Sequence, residues 1–177
     1  CEQFANPPLA IRACSRLILD IPGSAALHNR RGMAYIRNSE IDNAIADYTE
    51  AIRIDPRAAA PYYNRGRALI DKSAFAEALQ DFSQAISRHP TDPLARNGRA
   101  WAHFKLGNLA SALEDADQAI AADINNAPAY DTRAHIYEAM GRREQAIADF
   151  RRALVLDPAN PLVHITREGL RRLGAAP

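Results

Sequence analysis

The 177-residue chain has little of what marks most enzymes, metalloproteins and membrane proteins. It contains two cysteines and one tryptophan, and its eight glycines form no Gly-rich loop of the kind that cradles a phosphate. No apolar run approaches the roughly 18 residues of a membrane-spanning helix. The 22 basic and 21 acidic side chains nearly cancel, so the composition does not favour nucleic acid or an anionic membrane surface as a partner. Nucleic-acid binding and direct membrane insertion are therefore not predicted.

Groupings of reactive side chains are equally scarce. The five histidines are scattered, and no two have the i, i+4 spacing of a helical metal site. We interpret them as ordinary surface or groove residues: His28, His89, His103, His135 and His164. The sequence therefore predicts no metal, no cofactor and no enzyme.

What the chain does have is an internal repeat. The pattern Arg-Gly/Ala-x-Ala/Ile recurs in steps of 34 residues (65−31, 99−65 and 133−99), beginning at Arg31, Arg65, Arg99 and Arg133. A fixed period of this length indicates a solenoid of stacked units rather than one globular core.

Other columns of residues fall into the same phase. Small residues that let two helices approach closely recur at Gly32, Gly66, Ala100 and Ala134, then twelve residues later at Ala44, Ala78, Ala112 and Ala146, and seven further on at Ala51, Ala85, Ala119 and Ala153. Three units carry a large ring between the two alanine columns, at Tyr48, Phe82 and Phe150, and three end in proline, at Pro56, Pro90 and Pro158. The third unit departs from both patterns, with Ala116 and Ile124.

Small residues at the eighth, twentieth and twenty-seventh positions of a 34-residue unit, with proline at the thirty-second, resemble the tetratricopeptide repeat. The resemblance implies an all-α fold, a right-handed α-α superhelix of helix-turn-helix repeats at 25–58, 59–92, 93–126 and 127–160. The phase extends into both flanks. We therefore predict an N-terminal segment with a half-repeat helix over 1–24 and a capping helix over 161–177.

Each repeat arginine has an aspartate sixteen residues later, at Asp47, Asp81, Asp115 and Asp149. An arginine on the first helix and an aspartate on the second can pair where the two helices pack. A catalytic site is needed once, whereas this pair recurs in every repeat. We therefore interpret the eight residues as structural ion pairs that orient the helices.

In the tetratricopeptide family, the concave groove takes its side chains mainly from the second, fifth, ninth, twelfth and thirteenth positions of each repeat. The partner-binding candidates at such positions are Met33, Arg37, Tyr63, Arg67, Trp101, Phe104 and Lys105. Aromatic and basic side chains together are typical of binding hot spots. The alternative is that Trp101 and Phe104 only fill the volume left by Ala116.

Both cysteines lie in the leading half-repeat. Cys14 falls at the packing position held by Tyr48 and Phe82 in later repeats, so we expect it to be buried and not catalytic. A disulfide between Cys1 and Cys14 would link the first segment covalently to the first helix and would imply an oxidising compartment such as a periplasm. The alternatives are two unrelated thiols in a cytoplasmic protein, and a lipoprotein that is lipidated at Cys1.

These features predict a non-catalytic scaffold that binds an extended peptide or a partner helix in its concave groove. We expect a monomer or weak homo-oligomer in the periplasm or another exported location, with the cytoplasm as the alternative. The alternative function is a structural, self-associating repeat protein or assembly subunit in the bacterial envelope. Some family members clamp chaperone C-terminal carboxylates with five side chains, of which only Asn64 is matched here, so chaperone-tail binding is not predicted.

Overall fold

The computed structural model describes residues 6–160 and 163–176, and every regular element within these ranges is an α-helix. In chain order the helices are α1 (Pro7–Asp20), α2 (Ala25–Arg37), α3 (Ile41–Ile54), α4 (Ala59–Asp71), α5 (Phe75–Arg88), α6 (Pro93–Lys105), α7 (Leu109–Ala122), α8 (Ala127–Ala139), α9 (Arg143–Leu156) and α10 (Val163–Arg172). The prediction of an all-α fold is confirmed. Cys1 and the first two residues of the predicted capping segment, 161–162, lie outside the described residues.

The helices form two compact units that divide after Pro90. Unit 1 contains α1 to α5, and unit 2 contains α6 to α10. Within unit 1, α2 packs with α3 and α4 with α5, while α1 adds a lone helix against α2. Within unit 2, α6 packs with α7 and α8 with α9, while α10 adds a lone helix against α9. Each unit is thus a set of helix-turn-helix repeats with one additional helix.

Several first helices begin at a polar capping residue. The Ser24 side-chain oxygen accepts a hydrogen bond from the Leu27 backbone N–H at 3.4 Å, and this caps α2. At α6, Asp92 accepts from the Leu94 backbone N–H at 2.9 Å, and Pro93 occupies the first helical position. Proline is favoured at this position because the missing N–H would have no partner inside the helix.

The turn between the two helices of each repeat contains a residue in the left-handed region. Gly107 and Gly141 have φ values of 79° and 72°, and in the first two repeats Ser39 and Ser73 hold the same place with φ values of 60° and 59°. A residue with a Cβ is strained in this conformation, whereas glycine is not.

The repeat cores depend on rings that lie against residues without a Cβ. A Cβ added to Gly32 would lie 2.5 Å from Cε1 of Tyr48, and one added to Gly169 would lie 2.6 Å from Cζ of Phe150. Both rings are almost fully buried. The small residues at these points are therefore a steric requirement of the packing, and Gly169 extends that requirement to the contact between α9 and α10.

The third repeat packs differently because it lacks the ring. Ala100, Ala112, Ala116 and Ile136 form one buried cluster, with Phe104 partly buried against it. Ile136 stands where the first three repeats have alanine, so a larger side chain from α8 occupies volume that Ala116 leaves. Phe104 shares in this packing, whereas Trp101 does not belong to the cluster.

Candidate functional site

Each repeat arginine lies against the aspartate sixteen residues later and makes two hydrogen bonds with its carboxylate. In the first repeat, Nε and Nη2 of Arg31 donate to the two carboxylate oxygens of Asp47, both at 2.7 Å. The contacts of the other three pairs measure 2.6–2.9 Å: Arg65–Asp81, Arg99–Asp115 and Arg133–Asp149. The aspartates are buried. Hydrogen bonding to the carboxylate raises the pKa of all four arginines, which keeps their guanidinium groups charged.

The guanidinium group also contacts the preceding helix. Nη1 of Arg31 donates to Ser15 at 3.0 Å, and Nη1 of Arg65 donates to Thr49 at 3.0 Å. Nη1 of Arg133 donates to Asp117 at 2.6 Å. Each acceptor lies sixteen residues before its arginine, so each of these arginines ties three helices together. Sequence reasoning missed this column, although its constant spacing is visible in the sequence.

His28 is neither a surface nor a groove residue, which corrects the sequence interpretation. It is buried, and its Nδ1 lies 3.2 Å from Oδ1 of Asp47, the carboxylate that also binds Arg31. The position of His28 in the repeat could have predicted its burial. Tyr62 and Tyr130 occupy the same position in the second and fourth repeats, and both are buried.

In unit 1, three partner-binding candidates line a pocket of about 180 Å³ beside α2 and α4. The lining residues are Met33, Ile36, Arg37, Tyr48, Asn64, Arg67, Ala68 and Asp71. The candidate Tyr63 is not among them. Its ring lies 6.1 Å from the ring of Phe82, and the Arg67 guanidinium lies 5.9 Å from its centroid. The structure therefore places Tyr63 beside the pocket as a support for Arg67.

The lining of the pocket combines charged and polar side chains with apolar ones. Arg37 and Arg67 are exposed, and neither forms an ion pair with any carboxylate of the described residues. Asn64 donates a hydrogen bond to the Asn29 side chain at 2.9 Å, which holds its amide in place. Tyr48, expected only as a packing ring, also lines the pocket. Burial raises the pKa of the Tyr48 hydroxyl, against the opposing field of both pocket arginines.

In unit 2, the candidates Trp101, Phe104 and Lys105 lie on α6. The Trp101 ring centroid is 5.3 Å from that of Phe104 and 5.8 Å from that of His135. Lys105 Nζ lies 5.6 Å from the Trp101 ring centroid, within the range of a cation–π contact. His135 continues this cluster inward, since its ring meets that of Phe150 edge-on at 4.9 Å.

Two carboxylates flank His135 and also hold α10. Asp131 and Glu138 each have an oxygen 3.6 Å from a ring nitrogen of His135. Asp131 accepts a hydrogen bond from Thr166 at 2.7 Å, and Glu138 accepts two from Arg172 at 2.9 and 2.8 Å. Burial lowers the pKa of His135, with the two carboxylates acting in the opposite direction.

Cys14 is fully buried and disulfide-bonded. Its predicted partner Cys1 lies outside the described residues, so the pairing itself stays a prediction.

Two kinds of feature are absent from the described parts of the chain. Within residues 6–160 and 163–176, no helix has the length and hydrophobicity that a membrane crossing requires. The same residues contain no group of three or more His, Cys, Asp or Glu side chains suited to hold a metal ion.

Three family profiles match the sequence. One described as tetratricopeptide repeat covers residues 63–127, one described as TPR repeat covers 32–72, and a second tetratricopeptide repeat profile covers 127–160. The chain is a tetratricopeptide repeat protein. The family consists of non-catalytic repeat scaffolds, so this tetratricopeptide protein is a protein–protein interaction scaffold and not an enzyme. No curated protein matches the sequence.

Solved structures share the fold. The crystal structure of MamA is 22% identical with a TM-score of 0.74, and the match covers 84% of this chain and 86% of that one. TTC0263, a thermophilic TPR protein from Thermus thermophilus, is 18% identical with a TM-score of 0.76, over 93% and 91% of the two chains. The first TPR domain of Spaghetti (RPAP3), bound to the HSP90 peptide SRMEEVD, is 25% identical with a TM-score of 0.58, over 66% of this chain and 94% of that one.

Proposed function

We propose that this tetratricopeptide protein binds an extended peptide or a partner helix along the faces of its first helices. The observation that carries the proposal is the surface around Trp101, the one tryptophan of the chain. Trp101 is partly buried, its ring makes a tilted contact with that of Phe104 and an edge-on contact with that of His135, and the cation of Lys105 lies beside it. A large, rigid ring next to a positive charge is the composition found where binding energy concentrates.

A peptide ligand is supported by the RPAP3 domain, which shares the fold and is bound to a peptide of HSP90. We do not expect the same peptide to bind here. Of the five positions that form the chaperone clamp, only that of Asn64 carries the matching residue, and the Asn64 amide already donates to Asn29. The proposed ligand is therefore a peptide of different chemistry.

The test uses Trp101 as its own reporter. A library of random heptapeptides with amidated C-termini is screened against the intact chain, and selected peptides are titrated while tryptophan fluorescence is recorded. We expect saturable changes in emission, because binding would alter the surroundings of the single tryptophan. We expect Trp101→Ala to weaken the selected peptides by about tenfold or more, the size of a typical hot-spot loss.

Val155→Ala is the matched control, since Val155 is an exposed apolar residue on a second helix of the same unit. It should leave affinity unchanged. Circular dichroism establishes whether each variant is folded. Equal weakening by both substitutions, or a Trp101→Ala loss seen only in an unfolded variant, would contradict the proposal. Concentration-dependent oligomers in light scattering, with no peptide bound, would favour self-association instead.

We also propose that the protein is exported. The disulfide of Cys14 supports this, because disulfides persist in oxidising compartments and are rare in the cytosol. Thiol alkylation and mass measurement, without and with reductant, test the idea on protein isolated from its host. Two alkylated cysteines before reduction would argue against an exported protein.

A further inference from the structure

We propose that the unit 1 pocket beside α2 and α4 binds one glutamate or aspartate side chain of the partner. The inference rests on the proposed function, since it names the chemistry of the peptide that the first-helix faces would hold. It concerns residues remote in sequence from Trp101: Arg37, Tyr48, Asn64 and Arg67.

The size of the pocket favours a single side chain. Its volume of about 180 Å³ falls below the roughly 300–1,000 Å³ of pockets that enclose a small molecule. The walls from Met33, Ile36 and Ala68 are apolar and suit the methylene groups of a short side chain. A partner residue that enters would therefore need an apolar stem and a polar end.

The charged residues at the pocket indicate that the polar end of the partner residue should be negatively charged. The four arginines of the repeat column are all paired with aspartates, whereas Arg37 and Arg67 are not paired with any carboxylate of the described residues. Arg67 is positioned by its contact with the Tyr63 ring. Guanidinium groups bind carboxylates in a directional, charge-assisted manner, so two of them at one pocket favour an anionic oxygen group.

Tyr48 adds a hydroxyl donor to this site. Its side chain is only 2% exposed, it lines the pocket, and its hydroxyl has no hydrogen-bond partner among the described residues. The fields of Arg67 and Arg37 both reach this hydroxyl. Burial raises the pKa of Tyr48, so the hydroxyl keeps its proton and can donate a hydrogen bond to a carboxylate throughout the physiological range. A bound carboxylate would therefore supply the hydroxyl with a charged hydrogen-bond acceptor.

Asp71 sets how much negative charge the site can balance. It is exposed and lines the same pocket as Arg37 and Arg67, so the two arginines and this carboxylate together leave a formal charge of +1 (2 − 1), which one partner carboxylate neutralises and a second would exceed. The site therefore favours a partner segment with one acidic residue flanked by apolar or neutral residues over a highly acidic tail.

The experiment compares charge-removing variants in and away from the pocket. Peptides selected from the amidated heptapeptide library are measured by fluorescence polarisation against the intact chain and against the double variant Arg37→Gln, Arg67→Gln. The control is Arg16→Gln, Arg57→Gln, which removes the same charge from exposed positions of unit 1 outside the pocket. Tyr48→Phe removes only the hydroxyl, and Phe82 and Phe150 show that a phenylalanine is accepted at this repeat position.

We expect the selected peptides to carry an acidic residue, and Glu→Gln or Asp→Asn at that residue to weaken binding by about tenfold or more, as for loss of a hydrogen bond to a charged group. The pocket variant should weaken the parent peptide similarly, with no further loss for the neutralised peptide. Tyr48→Phe should weaken it by a smaller factor, and the control should change little.

A library whose binders include none that depends on Arg37 and Arg67 would overturn this inference, and binders that depend on Trp101 alone would still leave the proposed function standing. Equal weakening by the pocket and control variants, or binders found only when the library has free C-terminal carboxylates, would also overturn this inference. A library that yields no binder to the unmodified chain would overturn both proposals.

Discussion

Ala116 and Ile136 pack in one buried cluster that joins the third and fourth repeats. At the corresponding positions of the first two repeats, the large and the small residue are exchanged. There, Tyr48 packs with Ala68, a large ring with a small residue. The third repeat thus keeps a filled interior although it lacks the ring. The larger Ile136 compensates for the missing ring at Ala116, a substitution that would otherwise predict loose packing between the third and fourth repeats.

Substitutions at this pair should be strongly coupled. Ile136→Ala should lower the free energy of unfolding by about 2–5 kcal/mol because it leaves a cavity. Ala116→Phe should lower it by about 1–3 kcal/mol because the added ring has no space. In the double variant, the ring could occupy the vacated volume, so the loss should be well below the sum. Guanidinium denaturation of the four proteins measures this, and additive losses would show that the two residues do not share one space.

The arginine column should matter for stability, and the exposed ion pairs should not. Asp81→Asn breaks the two-point contact with Arg65 at a carboxylate whose side chain is 6% exposed, and we expect a loss of about 3–5 kcal/mol. Asp42→Asn is the matched control in the same unit, because it breaks the pair with Lys72 at an exposed carboxylate, where about 0–1 kcal/mol is typical. Urea denaturation compares the two variants. Similar losses would mean that the buried pair is no more important than a surface contact.

The features that could be predicted from the sequence are those that recur in every repeat. The helix pairs and the arginine–aspartate spacing are shared by all four repeats, so the residue pattern that predicts them appears four times in the sequence. The pocket leaves no such pattern, because it depends on Arg37 and Arg67 having no ion pair with a carboxylate of residues 6–160 and 163–176, and on Tyr48 having a hydroxyl where other repeats have Phe or Ala. His28 and Ile136 were missed for the same physical reason. Each occurs in a single repeat, and its consequence depends on which neighbour it meets after folding.

The stability of unit 2 should depend on pH through His135. Burial lowers the pKa of His135 in the folded state, so folding favours the neutral ring. The stabilisation is complete above the unfolded pKa of about 6.5 and is lost as the pH falls from there towards the folded pKa. Burial also lowers the pKa of His103, which should contribute in the same direction.

The melting temperature should accordingly fall between pH 7.5 and pH 5, and His135→Gln with His103→Gln should flatten that dependence. His89→Gln is the control, since His89 is exposed. Thermal denaturation followed by circular dichroism at several pH values provides the measurement. A slope that persists unchanged in the double variant would assign the pH dependence to other groups.

Substitution by glycine should stabilise the protein at the two serines whose backbone lies in the left-handed region. Ser39 and Ser73 adopt φ values near 60°, a region that a residue with a Cβ occupies at a cost and glycine does not. We expect Ser39→Gly and Ser73→Gly each to raise the free energy of unfolding by about 0.5–1 kcal/mol, after allowing for the greater freedom of glycine in the unfolded chain. Gly107→Ser is the reciprocal test. A Cβ there would meet no atom within 4 Å, so any loss must come from the backbone conformation alone. Opposite signs for the two kinds of substitution, measured by chemical denaturation, are the expected result; the same sign for both would contradict the role assigned to these turns.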